Sequence, residues 1–299
     1  VNAVTEMGAI IVASSGNDNS ELDHFPSAYD NVLSIGGTSN SDVKYSGSNY
    51  GPQVDLVAPA LTMMTTYNNG NYGIVGAGTS YSAPLVAGVI ALVEAKFPEL
   101  SNYQAAEQVR VTADNIDAKN PAYIDKLGKG RLNAFRAVVE TDLPSIRLLD
   151  ISFVDENGNG IIEQGEDIEI FPTFVNYLSP VSNVVLTLEE SDQHVILTQK
   201  NQEIAAIGTM EELTLTTPFK FHVSAAAPSG HPIDFKIRME TGDYNDFVDF
   251  HLTVMPLFAN VDINNVATTI SSIGRIGFAD DGDNQEGLGL LFKNGNNLL

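Results

Sequence analysis

The sequence predicts an α/β domain built on a parallel sheet, then an all-β sandwich and the opening of a further β domain. Three observations carry this. Short continuous apolar runs empty into polar loops, as AIIVA at 9–13 does into SSGNDN, which suits buried parallel strands. A long apolar helix follows over Ser82–Lys96. After Pro144 the texture turns to period-2 alternation, clear in FKIRM and FVDFHLTV. With 299 residues, and roughly 100–200 per domain, the chain has room for two domains or a little more.

In the first part, Val32–Ile35 and Val54–Val57 read as two more short strands, each bounded by Gly, Pro or Asn. The stretch SAPLVAGVIALVEAK is apolar almost all round, which predicts a central helix covered on every side. Pro84 falls in its expected first turn, where a missing N–H costs little. Phe97-Pro98 ends it. A second helix starts at Ser101, with Ser101 or Asn102 as cap, and runs through Gln104 to Val111; a third spans Leu132–Glu140 after the turn GKGR. Strand-like segments then recur near 146–154, 167–176, 183–189, 213–223, 232–240 and 246–255, the spacing of an antiparallel sandwich of about 100 residues. The expected domains are therefore 1–142, 143–256 and 257–299, the last an incomplete β-rich start punctuated by GRIGF and GLGLLF.

Composition narrows the function classes. Net charge is −23, with 8 basic and 15 acidic residues in 1–142 and 7 against 23 in 143–299. Such a field repels phosphate backbones and anionic lipid, so neither nucleic acid nor a membrane surface is expected as partner. The longest apolar run, Ala83–Val93, is far short of the roughly 20 residues of a membrane span. Zero cysteine removes disulfides, thiolate nucleophiles and Cys-ligated metals. The chain lacks an initial Met and any signal-peptide layout, and reads as a piece of something longer.

GTSYSAPLVAG at Gly78–Gly88 is the most informative stretch. Ser80 would stand at a helix N-terminus, where free N–H groups and the positive end of the macrodipole favour a developing negative charge. On position alone, the simpler reading is that Thr79 or Ser80 merely caps the helix. SSGN at Ser14–Asn17 follows a short strand, so the Asn17 amide could donate to an oxyanion; alone it is an ordinary turn residue.

Together these stretches resemble the subtilisin-like serine peptidases. Gly78, Thr79, Ser80, Ser82, Pro84, Ala87 and Gly88 match that family's serine motif, with Leu85 where many members carry His. FPSAYDNVLSIGGT (25–38), SNYGPQVDLVAPA (48–60) and GKGRLNAFRAV (128–138) support it, so the resemblance covers about residues 1–142. It implies a serine endopeptidase acting on protein or peptide substrates. Ser80 would be the nucleophile, its own N–H and the Asn17 amide the oxyanion hole, and Ser14, Ser15 and Gly16 one wall of the substrate pocket. No cofactor is needed for that chemistry.

A serine nucleophile needs a base and a carboxylate to orient it. In the family both precede the oxyanion Asn, yet only sixteen residues, none of them His, precede Asn17. His24 follows Asn17 and reads as a surface loop residue; His194, His222, His231 and His251 fall in or between sandwich strands, on polar faces. The expectation is the carboxyl-terminal half of a subtilase catalytic domain, inactive alone, from a secreted or cell-surface protein. The competing reading is a non-catalytic binding or adhesion protein on a degenerate peptidase scaffold.

DENGNGIIEQGE at 155–166 fits a calcium loop: Asp155, Asn157, Asn159, Gly160 and Glu166 hold positions 1, 3, 5, 6 and 12, with the Ile161 carbonyl at 7. No helix pattern flanks it, and an Asn-Gly turn between strands explains the same residues. ADDGDNQEG at 279–287 is a weaker acidic cluster. The sandwich loosely resembles the Ig-like modules appended to secreted bacterial proteases, which implies a spacer, docking or attachment role.

Overall fold

The structure is a computed structural model that describes residues 1–255, 258–263, 266–271, 276, 290–294 and 297–298. After a short helix α1 (Asn2–Glu6), strands β1 (Ile11–Ser14), β2 (Val32–Thr38) and β3 (Leu56–Pro59) form a parallel sheet in that order. Every residue of β2 is buried, as expected of a central parallel strand whose faces are both covered. On one face, Ile35, Leu56 and Ala58 pack against Val86, Val89, Ile90 and Val93 of helix α2 (Thr79–Lys96). On the other, Val54 and Val57 meet Ile116 and Leu127. Helix α3 (Asn102–Val111) opens on a capping box, Ser101 accepting from the Gln104 N–H while the Gln104 side chain accepts from the Ser101 N–H. Helix α4 (Ala134–Val139) follows, capped by Asn133.

Three expectations need correction. The run at 9–13 gives a parallel strand but not a buried one: β1 is half-exposed throughout, because among the described residues it pairs only with β2 and ends the sheet. The α2 helix is not covered on every side. Its buried residues follow the i, i+3, i+4, i+7 spacing of a single face, while Ala87, Gly88, Ala91 and Ala95 are exposed and Leu92 is 55% exposed. The helix also begins three residues earlier than its apolar run. Pro84 is therefore its sixth residue, and the bond an N–H there would give to the Ser80 carbonyl is missing. A small hairpin of β4 (Met64–Thr66) and β5 (Tyr72–Ile74) has no counterpart in the sequence reading.

The second half consists of two antiparallel sheets. One is ordered β10 (Asn201–Ile207), β8 (Val181–Glu190), β13 (His231–Thr241), β14 (Tyr244–Val254). The other combines β6 (Ile146–Asp155), β7 (Asp167–Asn176), β11 (Glu211–Thr214), β12 (Phe219–Val223) and β9 (Val195–Gln199). Ile168, Ile170, Phe174, Phe219 and Phe221 from one sheet and Leu186, Ile233, Phe235 and Ile237 from the other share one core. The segment 213–223 is two strands rather than one, broken at Leu215–Pro218. Beyond them β15 (Phe258–Ile263), β16 (Val266–Ser271) and β17 (Leu290–Asn294) pair antiparallel in sequence order. The acidic cluster at 279–287 lies outside the described residues.

The halves meet through a buried polar junction. Arg110 of α3 bonds Glu107, Ser145 and Asp246, and Arg147 pairs with Asp55. A cleft of about 580 Å³ opens there; of its charged lining residues, Asp55, Glu107, Arg110, Lys129, Arg147 and Asp246 are paired among themselves, Asp249 pairs with Lys236, and Asp30 is exposed. Among the described residues no helix is long and apolar enough to cross a membrane.

Candidate active site

Strand β1 ends at Ser14 and delivers the chain into a loop held by Asn49, whose side-chain carbonyl accepts from the N–H groups of Asp18 and Ser20 at 2.9 and 3.2 Å. Ser14 is half-buried and pairs with Ile35, while Ser15 is buried with its N–H on the Ile35 carbonyl at 2.9 Å. Gly16 sits at φ +105°, and a Cβ there would lie 2.4 Å from Asn49 Nδ2, so only glycine lets the loop pass. The next residue, Asn17, is exposed.

Across from it α2 begins. Ser82 Oγ donates to the carbonyls of Ala58 and Pro59 at 3.0 and 3.1 Å, pinning the helix start to the end of β3. That anchor brings Thr79 to Asn17, 62 residues away in sequence. The Thr79 N–H donates to Asn17 Oδ1 at 2.9 Å. The Thr79 hydroxyl stands 3.2 Å from both that oxygen and the Gly16 carbonyl. Since a backbone N–H can only donate, the amide orientation is fixed: Oδ1 faces Thr79 and Nδ2 is left to donate elsewhere. Ser80 follows directly, exposed on the first turn of α2. There the helix dipole favours negative charge, and the first-turn N–H groups have no intrahelical acceptor.

Among the described residues Ser80 Oγ has no hydrogen-bond partner. His24 is half-buried rather than a free surface residue, with its ring packed close to Gly16. The sequence reading overlooked Thr79 as the group orienting Asn17; its place one residue before the serine was the available signal.

The loop at 155–166 connects β6 to β7 with strands on both sides. Asp155 is buried, and its two oxygens accept from the N–H groups of Asn159 and Gly160 at 2.8 and 3.1 Å. Burial pushes its carboxyl up, but these amide donors outweigh that and hold it below the ordinary range. Asn157 Nδ2 donates to Glu163 at 2.7 Å and to Glu166, and Asn159 Nδ2 donates to Glu163 at 3.0 Å. Asn159 Oδ1 accepts from Ile161, whose side chain is exposed. The sequence reading omitted Glu163, although it stands at position 9 of the same pattern.

Comparison with known proteins bears on the first half. The profile described as Subtilase family (Peptidase_S8) matches residues 1–135. Subtilisin BL of Lederbergia lenta is 35% identical over 134 residues, which are 45% of this chain and 48% of that protein. Thermitase of Thermoactinomyces vulgaris is 35% identical over 138 residues, 46% and 47% of the two chains. M-protease of Shouchella clausii is 36% identical over 134 residues, 45% of this chain and 34% of that protein. The chain thus spans about half the length, or less, of these curated relatives. Residues 1–135 belong to the subtilase family of serine peptidases.

Proposed function

We propose that this chain carries the nucleophile half of a serine endopeptidase, with Ser80 attacking the peptide carbonyl. The Ser80 Oγ proton passes to a His base that lies, with its orienting Asp, on a segment outside these 299 residues. The tetrahedral oxyanion accepts from the Ser80 N–H and Asn17 Nδ2. The amine leaves with the proton returned by the base, and water releases the acyl group from Ser80. The backbone of Ser14–Gly16 lines the pocket for the residue before the scissile bond.

The observation that carries this reading is the 2.9 Å bond from the Thr79 N–H to Asn17 Oδ1, which leaves Nδ2 as a free donor beside the helix turn bearing Ser80. Further support comes from the edge of β1 that is unpaired among the described residues and from the open side of α2, surfaces on which the segment with the base would pack. The test is hydrolysis of casein or a peptide ester. The 299 residues alone show no turnover above a Ser80→Ala control, whereas the chain extended by its upstream segment turns over and loses activity with Ser80→Ala. Turnover by the 299 residues that Ser80→Ala abolishes would overturn the half-site reading; an extended chain indifferent to Ser80→Ala would overturn the nucleophile.

A second element of the proposal is calcium at 155–166, ligated by Asp155, Asn157, Asn159, the Ile161 carbonyl and Glu166, with Glu163 added. Its support is the fit of the donor set: hard oxygen donors, with the Asp155 and Glu166 carboxylates both buried. Loops of this kind in extracellular modules bind at about 10⁻⁴–10⁻³ M, so the proposal carries a secreted or cell-surface address with it. The two-sheet module is then an Ig-like spacer.

A further inference from the structure

Asp192 and His194 lie in the short connection that leaves β8 in one sheet and enters β9 in the other. His231 is the first residue of β13, beside β8. Asp192 and His231 are 39 residues apart in sequence, and the polar-face reading of these histidines treats each as solitary. The fold brings them together: one ligand atom from each of the three residues lies within 4.8 Å of the others. His231 Nε2 is 2.6 Å from Asp192 Oδ2, and the two imidazoles meet edge to face with centroids 5.1 Å apart. All three residues are half-buried.

We propose that Asp192, His194 and His231 form a binding site for a borderline divalent transition ion, with Zn²⁺ as the matching cation. The donor set decides the class. Two imidazole nitrogens and one carboxylate oxygen suit zinc and its neighbours, whereas calcium and magnesium take oxygen. The spacing is close to what the ion needs: zinc bonds of about 2.0–2.2 Å put ligand atoms about 3.4 Å apart, leaving a fourth position to water. His231 and Asp192 open slightly to admit the ion, and the His231 ring binds through Nε2 in the tautomer that carries its proton on Nδ1.

The site is also built rather than loose. His194 donates its N–H to Asp192 Oδ1 at 2.7 Å, and its carbonyl accepts from the Ser224 N–H at 2.7 Å. His231 is fixed by pairing with Val254. Asp192 has no Lys or Arg partner among the described residues, and the side chain that meets its carboxylate is His231. In a chain of net charge −23 a cation is the favoured occupant. Bound there, it would tie the crossover between the sheets to the start of β13.

The experiment is equilibrium dialysis of the chelator-treated 299-residue chain against micromolar Zn²⁺, with thermal melting of the same samples. The expected result is zinc retained at this site and a raised melting temperature. Affinity falls by at least about 100-fold in His194→Gln and His231→Gln, beyond the usual effect of a residue that only supports a ligand. His222→Gln, which removes the exposed histidine paired with Asp167 at 2.9 Å, leaves binding intact. Co²⁺ in place of zinc gives the intense visible absorption of tetrahedral coordination. Circular dichroism of the zinc-free variants separates lost ligation from lost folding, and His194→Gln decides should His231→Gln unfold. No zinc retained, binding that survives both substitutions, or binding lost with His222→Gln would each overturn the site.

Discussion

Arg110 and Asp246, 136 residues apart in sequence, form a two-toothed ion pair with Nη1–Oδ1 at 3.1 Å and Nη2–Oδ2 at 2.7 Å. Arg110 belongs to α3 of the subtilase half and Asp246 to β14 of the sandwich, and both are buried. Neither charge has water to fall back on. Glu107, Ser145 and Lys129 complete the cluster: Ser145 Oγ donates to Glu107, and Lys129 reaches Asp246 at 3.5 Å.

Arg110→Ala therefore leaves two buried carboxylates without their main partner. Removing one member of a buried pair costs about 3–5 kcal/mol. Urea unfolding of the variant is expected to show a loss of that size. A loss under about 1 kcal/mol, the range of an exposed pair, would mean that water reaches the junction.

Acid should weaken the same cluster. Burial raises the Asp246 carboxyl, but Arg110 and Lys129 overcome this and hold it at about 2. The unfolded value is about 3.9. A carboxyl depressed on folding contributes stability in full above its unfolded pKa and loses it as pH falls through its folded one. The melting temperature should thus drop between about pH 4 and 2. Asp246→Asn should be less stable at pH 7 and flatter across that acid window.

On the proposed mechanism the Thr79–Asn17 contact makes a kinetic prediction for the chain extended by its upstream segment. Asn17→Ala removes the proposed oxyanion donor and should cost about 10²–10³ in kcat with little change in KM. Thr79→Val keeps the backbone bond to Oδ1 but removes the hydroxyl, so a smaller loss in kcat is expected. Equal losses in KM for both variants would move their role from the transition state to substrate binding.

Gly16→Ala places a methyl 2.4 Å from Asn49 Nδ2 at a backbone angle hostile to side chains. Asn49 must then release the N–H groups of Asp18 and Ser20. A destabilisation of about 1–3 kcal/mol is expected by thermal melting, as for an overpacked core site.

Calcium should stabilise the chain by mass action, by about 2.7 kcal/mol at a concentration 100-fold above its Kd. Glu166→Gln should abolish that gain in calorimetry and melting, while His231→Gln should leave it untouched. Absence of heat above buffer at millimolar calcium would remove the calcium reading.

Much of this was legible in the residues, though unevenly. Ser101 and Gln104 announce the start of α3 because a capping box is local chemistry, and FVDFHLTV announces β14 because alternation is local too. Strands β9 and β10 were missed because their Gln and Asn content hides the alternation and only Lys200 separates them. The helix at 79–96 looked apolar on all sides because Ala and Gly count as apolar wherever they point. Asn17 and Ser80 were named from their motifs, but the Thr79 contact spans 62 residues, and only the sheet that anchors both segments brings it together. The Asp192–His194–His231 group was invisible for the same reason: its closeness is made by a crossover between sheets.

The outward side of α2 has a consequence for how the chain behaves in a test tube. Ala87, Gly88, Ala91 and Ala95 form a smooth strip with Leu92 as its one large contact, and small side chains allow another helix to approach closely. Contact between two such strips at high protein concentration would show in sedimentation as reversible self-association that dilution, mild detergent or Leu92→Glu disperses. Melting curves and metal titrations on this chain are accordingly best collected dilute, where the strip meets solvent instead of a neighbour.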